Sequence, residues 1–344
     1  MVKLVTIGFL GFLVLALLCI AIWSRSSPRL SVESEKLLQD ALKAPLPNML
    51  AGESAYAQSG ALRIWYTLKQ PLLVSGQTVR GTVLLVNGLG SSAAFWPSEI
   101  YSPLLKAGYQ VLMTDHRGLG ESDPLKDWST DNSYDLGDMA GDNFAVLDSL
   151  GIDKAHILGL SLGGMVGQEM ALSHPERVIS LSSVMSTGYF DDPEIPKSSD
   201  FQINTMKLFF RYGLLSSEEN MVRLMVGLYS FLKGDQDIDI QHITFATRYE
   251  LSERNGFNHK VPDQQSLAMQ RSGSRLAMLP KLRVPVFVVH GELDPLLNIA
   301  HAKKYAALIP KHESLWVQGM GHDLAPAHVR RWMTKAIEFM DMQQ

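Results

Sequence analysis

Short apolar runs alternate with helical patterns along the chain from residue 61 onward, and this alternation limits the folds that the chain can adopt. Most of the runs are uniformly apolar and end in turn residues, which is typical of strands buried on both faces of a sheet. The predicted strands are 61–68, 81–88, 109–115, 154–160, 177–187, 284–291 and 313–318. The sequence therefore predicts an α/β fold, with a mostly parallel central sheet, right-handed crossovers and flanking helices.

Residues 190–275 interrupt this alternation between two predicted strands. They contain no convincing strand and carry helical patches rich in Met, Leu and Phe, such as MKLFFRYGLL and NMVRLMVGLYSFL. We expect these residues to form a helical cap inserted in the sheet domain. The core of the domain then consists of residues 61–189 and 276–344.

The N-terminal residues differ from the rest of the chain. Leu4–Trp23 is a run of 20 positions without a charge, and a helix of this length spans about 30 Å, the thickness of the hydrocarbon core of a bilayer. We expect residues 1–23 to form a single-pass membrane anchor. Residues 24–60 are polar and contain several prolines, so we expect a tether with one short helix around residues 34–42.

A cleaved signal peptide is the alternative for the first residues, and it would make the protein secreted or periplasmic. The apolar region of a signal peptide usually has about 7–15 residues and ends in a small-x-small site. This run is longer, and Ala21-Ile22-Trp23 is a poor cleavage site. The basic residues on the two sides of the run do not orient an anchor clearly.

Charge and cysteine content exclude several classes of protein. The net charge is −4 with no basic block, which argues against a nucleic-acid partner. The single cysteine, Cys19, rules out an internal disulfide framework. The sequence contains neither an H-E-x-x-H motif nor a Walker-type loop, so it implies no metal and no organic cofactor.

A serine lies between two glycines at the junction of a predicted strand and a predicted helix. The segment Gly159-Leu160-Ser161-Leu162-Gly163 has the G-x-S-x-G pattern of a tight strand-to-helix turn, in which the serine has a strained backbone. Gly159 and Gly163 would be small because larger side chains collide across such a turn. Ser161 is therefore the candidate nucleophile, and a glycine-rich turn with a structural serine is the alternative.

A serine nucleophile needs a base, and a histidine base needs a carboxylate that holds its tautomer. The expected chain order is Ser, Asp, His. Asp294 follows the strand 284–291, and His322 lies between the last predicted strand and the last helix. Because the carboxyl ends of parallel strands meet at one edge of a sheet, we expect Ser161, Asp294 and His322 to lie together.

Other residues could supply the acid and the base. The competing acids are Glu292, Asp191 and Asp192, and the competing histidines are His290, His301 and His312. We favour Asp294 from its position before Pro295, and we favour His322 because flexible glycines flank it. Asp323 is expected to cap the segment that follows.

The oxyanion of an acyl-transfer reaction needs two donors, and backbone N–H groups suit this role because they are fixed before charge develops. We expect one from Leu162 and the other from Leu89, in the loop Asn87-Gly88-Leu89-Gly90 that follows a predicted strand. A plain Asn-Gly turn is the alternative for this loop. The segment 115–122, DHRGLGES, is interpreted as a structural loop that supports the site.

Together and in this order, these motifs resemble those of the α/β-hydrolase superfamily, from about Ala61 to the C-terminus. The resemblance rests on Asn87-Gly88 with Trp96, and on DHRGLGES, GLSLGG, HGELDP and GMGHD. It implies the α/β-hydrolase fold, a Ser161–Asp294–His322 triad and a cap over the pocket. Residues 138–187 are most similar to carboxylesterases of the aclacinomycin methylesterase and lactonase type. Many members have His where this chain has Asn87, which affects how the loop is held.

The sequence thus predicts a membrane-tethered serine hydrolase that cleaves a small-molecule carboxylic ester through an acyl-enzyme. The apolar residues of the predicted cap favour an apolar acyl or alcohol group. The same fold also permits an acyltransferase, a lactonase or a peptidase. A non-catalytic binding protein is a further alternative, although such a protein has no physical need for nucleophile, base and acid together.

Overall fold

The computed structural model describes residues 22–26, 29–73, 76–196, 199–214 and 217–343. The strands are β1 Glu53–Ser59, β2 Leu62–Lys69, β3 Gly81–Val86, β4 Tyr109–Thr114, β5 Ala155–Leu160, β6 Val178–Val184, β7 Val286–Gly291 and β8 His312–Val317. The helices are α1 Val32–Lys43, α2 Ser98–Lys106, α3 Leu136–Ser149, α4 Leu162–Ser173, α5 Ser199–Leu208, α6 Glu218–Leu232, α7 Ile240–Glu253, α8 Val261–Ser272, α9 Ile299–Ala306 and α10 Pro326–Asp341.

The strands form one sheet in the order β1-β2-β4-β3-β5-β6-β7-β8. The strands β1 and β2 are antiparallel to each other, and β2 is antiparallel to β4. Every pairing from β4 to β8 in this order is parallel. The mostly parallel sheet that the alternation of strands and helices predicted is therefore present, and the loops that follow β3, β5, β7 and β8 leave the sheet at the same edge.

Both faces of the sheet are covered by helices. Side chains alternate along β3: Val83 and Leu85 belong to the same buried cluster as residues of α2 and α10, while Leu84 and Val86 belong to the cluster that includes residues of α3, α4 and α9. Because successive side chains of a strand point to opposite faces, a strand covered on both sides buries apolar side chains on both of its faces. This burial explains the apolar run from Val83 to Val86.

The short helix expected around residues 34–42 is present as α1, but the tether expected over residues 24–60 is contradicted where this segment packs on the rest of the protein. The helix α1 packs on the cap through Leu38, which is fully buried against Val222 and Ile243. Residues 53–59 form β1, the edge strand of the sheet. Only Ala57 of β1 is buried, so this strand lacks the apolar signal by which the inner strands were recognised.

The residues between β6 and β7 contain the helices α5 to α8, in the region 190–275 where the sequence predicted a helical cap. No helix within the described ranges is long and apolar enough to cross a membrane. The predicted anchor, Leu4–Trp23, lies outside the described residues except for Ile22 and Trp23.

A buried ionic cluster joins the cap to the sheet domain. Arg254, which follows α7, forms ion pairs with Glu250 of α7 at 2.8 Å and with Asp115 of the loop after β4. Glu250 also accepts a hydrogen bond from the Ser92 hydroxyl. Two buried carboxylates thus share one guanidinium. Burial, together with repulsion from Asp115, raises the pKa of Glu250 to about 7 against the attraction of Arg254.

We expect Glu250 to lower the free energy of unfolding as pH rises from 5.5 to 8, because its pKa is higher in the folded than in the unfolded chain. Folded Glu250 is protonated below pH 7 and loses its proton above pH 7. This loss lowers the contribution of Glu250 to the free energy of unfolding by about 2 kcal/mol between pH 5.5 and 8. Burial lowers the pKa of His116, His156, His242 and His301, and these histidines act in the opposite direction, so the contribution of Glu250 is read from the difference between the wild-type protein and a Glu250 variant. Urea denaturation at pH 5.5 and at pH 8 would measure this change in the free energy of unfolding. The variant Glu250→Gln should lack this part of the pH dependence, and an equal slope in both proteins would contradict the assignment.

Candidate active site

Ser161 occupies the turn between β5 and α4 in a strained conformation. Its φ is 53° and its ψ is −113°, a region that residues with a side chain rarely adopt, and such strain costs about 1–3 kcal/mol. The backbone around it is fixed on both sides. Its N–H donates to the Val184 carbonyl at 2.8 Å, and its carbonyl accepts from the Ser186 hydroxyl at 2.7 Å. The turn therefore holds one serine side chain at the edge of the sheet.

The glycines on either side of Ser161 allow backbone segments to touch. A Cβ atom on Gly159 would lie 2.7 Å from the Gly164 nitrogen, and a Cβ atom on Gly163 would lie 2.6 Å from the Asn87 carbonyl oxygen. Real Cβ atoms do not approach backbone atoms this closely. A larger residue at either position would push the start of α4 away from β5 or from the loop after β3, so both positions require glycine.

Asp294 and His322 are in direct contact at the same edge. The loop after β7 places Asp294 Oδ2 at 2.7 Å from Nδ1 of His322, which follows β8. Oδ1 of Asp294 accepts the N–H groups of Leu296 and Leu297 at 2.9 and 2.7 Å. Because a carboxylate only accepts hydrogen bonds, the proton of a neutral His322 lies on Nδ1. Nε2 of the ring is then free to accept a proton.

Asp294 also contacts a second histidine, His290. Nε2 of His290 lies 2.8 Å from the Leu297 carbonyl oxygen and 3.2 Å from Asp294 Oδ2. Both partners are acceptors, so this nitrogen carries a proton. Burial would raise the pKa of Asp294, but attraction to His322 and hydrogen bonds from both histidines outweigh it and hold the pKa well below its usual range. Asp294 is therefore ionised at neutral pH although it is buried.

The loop that carries His322 is bound to the cap segment after α6. The His322 N–H donates to the Leu232 carbonyl at 2.8 Å, and the Asp235 N–H donates to the Gly319 carbonyl at 2.8 Å. Asp323 accepts the N–H of Gly234 at 2.9 Å. These bonds fix the histidine loop between the sheet domain and the cap.

Gly321 provides a close contact within this bonded loop. A Cβ atom on Gly321 would lie 2.5 Å from the Gly234 nitrogen. Gly321, one of the glycines expected to be flexible beside His322, thus also has a packing role, because only glycine lets the two backbones approach this closely. The capping role expected for Asp323 agrees with its acceptance of the Ala325 N–H at 2.7 Å, just before α10.

The loop after β3 lies beside Ser161. A Cβ atom on Gly88 would lie 3.5 Å from the Ser161 Cβ. The Asn87 carbonyl accepts a hydrogen bond from Nε2 of the buried His116 at 2.9 Å. Leu89, the next residue after Gly88, and Leu162, the first residue of α4, thus both belong to segments that border the serine.

Two details of this loop were not foreseen from the sequence. Within the described part of the chain, the side-chain nitrogen of Asn87 has no hydrogen-bond partner, so the loop is held through the Asn87 backbone. The cap also contributes, because Gln265 of α8 accepts the Gly90 N–H at 2.7 Å. His116 could have been inferred from its place in DHRGLGES, but nothing in the sequence indicated Gln265.

The competing residues have other partners. Asp192 pairs with Lys304 at 2.7 Å, His301 contacts the Thr187 hydroxyl at 3.1 Å, and His312 contacts the Ile309 carbonyl at 2.7 Å. Glu292 has an exposed side chain. In the segment 115–122, Asp115 accepts the Ala93 N–H at 2.8 Å and Arg117 pairs with Asp142 at 2.7 Å, which is the arrangement of a structural loop.

Comparisons with known proteins identify the family of this fold. A profile of the alpha/beta hydrolase fold matches residues 81–326. A rhodomycin D methylesterase from Streptomyces sp. (strain C5) is 29% identical over 276 residues, which cover 76% of this chain and 91% of that protein.

Solved structures share the fold. An esterase from Rhodococcus sp. ECU1013 has a TM-score of 0.64 at 22% identity, with 85% of this chain and 99% of that chain covered. A bacterial membrane phospholipase A has a TM-score of 0.64 at 20% identity, with 98% of each chain covered. The relatives confirm the prediction of a hydrolase that acts on ester bonds. The chain belongs to the alpha/beta hydrolase fold family.

Proposed function

We propose that the protein is a membrane-anchored serine hydrolase that cleaves carboxylic esters through an acyl-enzyme, with Ser161 as nucleophile, His322 as base and Asp294 as the group that orients the base. The main support is the 2.7 Å contact between Asp294 and His322 Nδ1, at the same sheet edge as the strained serine turn. A neutral histidine protonated on Nδ1 has the tautomer that a general base requires.

In the proposed reaction, Ser161 Oγ attacks the ester carbonyl carbon while His322 Nε2 takes the hydroxyl proton. The N–H groups of Leu162 and Leu89 donate to the oxygen on which negative charge develops. The protonated His322 then gives its proton to the departing alcohol, which leaves an acyl-serine. Water attacks this acyl group while His322 again takes a proton. The bond between the acyl carbon and Ser161 Oγ then breaks, His322 returns the proton to Oγ, and the acid is released.

We propose an apolar acyl or alcohol group for the substrate. Partly buried apolar side chains lie next to the two reacting residues, Leu160 before Ser161 and Leu324 shortly after His322, and they pack on the same cluster as Tyr229 of the cap. Apolar walls with few polar groups are typical of small-molecule sites. The methylesterase name of the relative supports an ester as the bond that is cleaved.

We also propose that the N-terminal run Leu4–Trp23 anchors the protein in a membrane. The support is the sequence alone, since the run has no charge and the length of a bilayer-spanning helix. Detection of the intact N-terminus in the membrane fraction after carbonate extraction would support an anchor, and a mature protein that begins after residue 23 would show a cleaved signal peptide.

We expect Ser161→Ala to abolish hydrolysis of short-chain p-nitrophenyl esters and covalent labelling by a fluorophosphonate, because alanine has no nucleophile. Ser173→Ala, at the exposed far end of the same helix, is the matched control and should keep both. Labelling of the Ser161→Ala variant at the wild-type rate would show that another residue is the nucleophile.

We expect Asp294→Asn to lower kcat by up to about four orders of magnitude, because an amide can hold the wrong tautomer of His322. Glu292→Gln removes a carboxylate two residues away, on an exposed side chain, and should leave kcat near the wild-type value. Steady-state kinetics of both variants decide between the two acids. A larger loss in the Glu292 variant would reverse the assignment.

We expect Gly234→Ala to lower kcat by about 10- to 100-fold with a smaller effect on KM, because small displacements of a catalytic group have effects of this size. The added Cβ would lie 2.5 Å from the Gly321 nitrogen and would force the His322 loop away from the cap.

The matched control for this variant is Gly141→Ala. Gly141 lies within α3, and an added Cβ would meet no atom within 4 Å. Activity should persist in this control. Circular dichroism and thermal unfolding would show that both variants fold. A folded Gly234→Ala protein with unchanged kcat would contradict the inference that this contact positions His322.

A further inference from the structure

The cap has an exposed apolar surface on α5 and on its π-helical extension, Phe209–Gly213. The exposed side chains are Ile203 (44%), Met206 (52%), Phe209 (46%) and Leu214 (63%), and we call these four residues the cap patch. The spacing from Ile203 to Met206 to Phe209 places these three side chains along one side of the helix. On its inner side the helix buries Leu208. Helix α5 thus exposes large apolar side chains as well as burying one, and clustered exposed apolar residues mark interaction sites.

The N-terminal apolar run ends beside the cap patch. The rings of Trp23 and Phe210 lie edge to face with centroids 6.4 Å apart, and Phe210 contacts Phe209 in the same way at 6.0 Å. Ile22, which precedes Trp23, is 68% exposed. Residues 4–21, which lie outside the described part of the chain, contain no charged residue. The apolar run and the apolar face of α5 therefore meet at Trp23.

Basic residues outnumber acidic residues in the two segments that carry this apolar surface. The charged residues of 22–29 and 199–214 in the described part are Arg25, Arg29, Lys207, Arg211 and Asp200, four basic and one acidic. Lys207 Nζ lies 5.8 Å from the centre of the Trp23 ring. A surface helix with an apolar face, basic flanks and a tryptophan is typical of segments that lie in the interface of a membrane with anionic lipids.

A cavity of about 330 Å³ opens next to the cap patch. It lies between the segment before α1, the end of α5 and the helix α6. Its charged lining residues are Arg29, Arg211, Arg223 and Glu35, and Arg223 pairs with Glu35 at 2.6 Å. Binding sites for small molecules begin at about this size. Its position and its arginines fit the phosphate of a lipid headgroup whose acyl chains lie against the apolar face of α5.

We propose that the cap patch lies in the interfacial layer of a bilayer that contains anionic phospholipids, beside the point where the N-terminal run meets the membrane. The proposal goes beyond the anchor, since an anchor alone would leave the orientation of the catalytic domain above the membrane open. Docking of α5 fixes the orientation of the catalytic domain above the membrane. In this orientation the cap faces the lipid, and the sheet edge on the other side of the domain faces away from it.

Contacts within the cap connect this surface to the candidate active site. At the N-terminal end of α6, Arg223 pairs with Glu35 of α1 at 2.6 Å. After the other end of α6, the segment 232–235 binds the loop of His322. A cap that rests on lipid would therefore hold the reacting groups at a fixed distance from the membrane surface, where esters with long acyl chains reside.

The test uses the full chain with Cys19→Ser and one new cysteine, Met206→Cys, that carries an environment-sensitive NBD fluorophore. The protein is reconstituted in vesicles of phosphatidylcholine and phosphatidylglycerol that contain doxyl-labelled phospholipid. We expect a blue-shifted emission at this position and loss of most of the fluorescence through quenching by the doxyl group. Vesicles of phosphatidylcholine alone should quench less, because they do not attract the basic residues.

The matched control places the label at Leu72→Cys. Leu72 is 99% exposed and follows β2, whose end pairs with Val111 at the start of β4, so it lies near the sheet edge opposite the active site. This label should stay unquenched. Equal quenching at both positions, or none at Met206→Cys, would overturn the proposal. Disulfide cross-linking between two Met206→Cys chains would overturn it as well, because it would show that the patch binds a second copy.

A second variant relates the surface to activity. Met206→Ser with Phe209→Ser replaces two exposed residues, so the fold should persist. We expect this variant to lose hydrolysis of esters embedded in vesicles and to keep hydrolysis of soluble short-chain esters. Loss of both activities would reflect damage to the enzyme, and undiminished activity on vesicles would contradict the docking. The fluorescence test needs no activity, so its outcome is separate from that of the proposed function.

Discussion

Close contact between backbones at one edge of the sheet is the constraint on which the candidate site depends. The serine turn touches the loop after β3 through Gly163, and the histidine loop touches the cap through Gly321. At both places a Cβ atom would overlap with backbone atoms, which cannot move without moving a whole strand or helix. The positions of Ser161 and His322 are therefore set by packed main chain, and this packing stabilises the unusual φ of the serine.

The electrostatics of the site follow from where this packing places the charged groups. Asp294 is buried, but two backbone N–H groups and two histidines donate to it, so its ionised form is the stable one. The cluster of Asp115, Glu250 and Arg254 has two carboxylates for one cation, and burial together with repulsion from Asp115 raises the pKa of Glu250. Burial thus gives opposite results for Asp294 and Glu250, because attraction to His322 and hydrogen bonds from two histidines outweigh burial at Asp294, whereas the attraction of Arg254 does not outweigh it at Glu250.

The sequence predicted those parts of the structure that depend on local patterns. The inner strands, the serine turn and the order of Ser161, Asp294 and His322 each have a signature within a few residues. The strand β1 was missed because an exposed edge strand lacks the uniform apolar pattern. The contact between Gln265 and Gly90 was missed because it joins residues that are distant in sequence, and only the folded chain brings them together.

The cap, inserted between β6 and β7, is bonded to the sheet domain at several places. Its helix α7 is joined to the sheet domain by Arg254, α8 binds the loop after β3 through Gln265, and the segment after α6 binds the histidine loop. The helix α1 packs on α6 and α7, so residues close to the N-terminal run belong to the same packed unit. A displacement of the cap would therefore move the elements beside Ser161 and His322 together, which couples the geometry of the candidate site to the surface that the cap contacts.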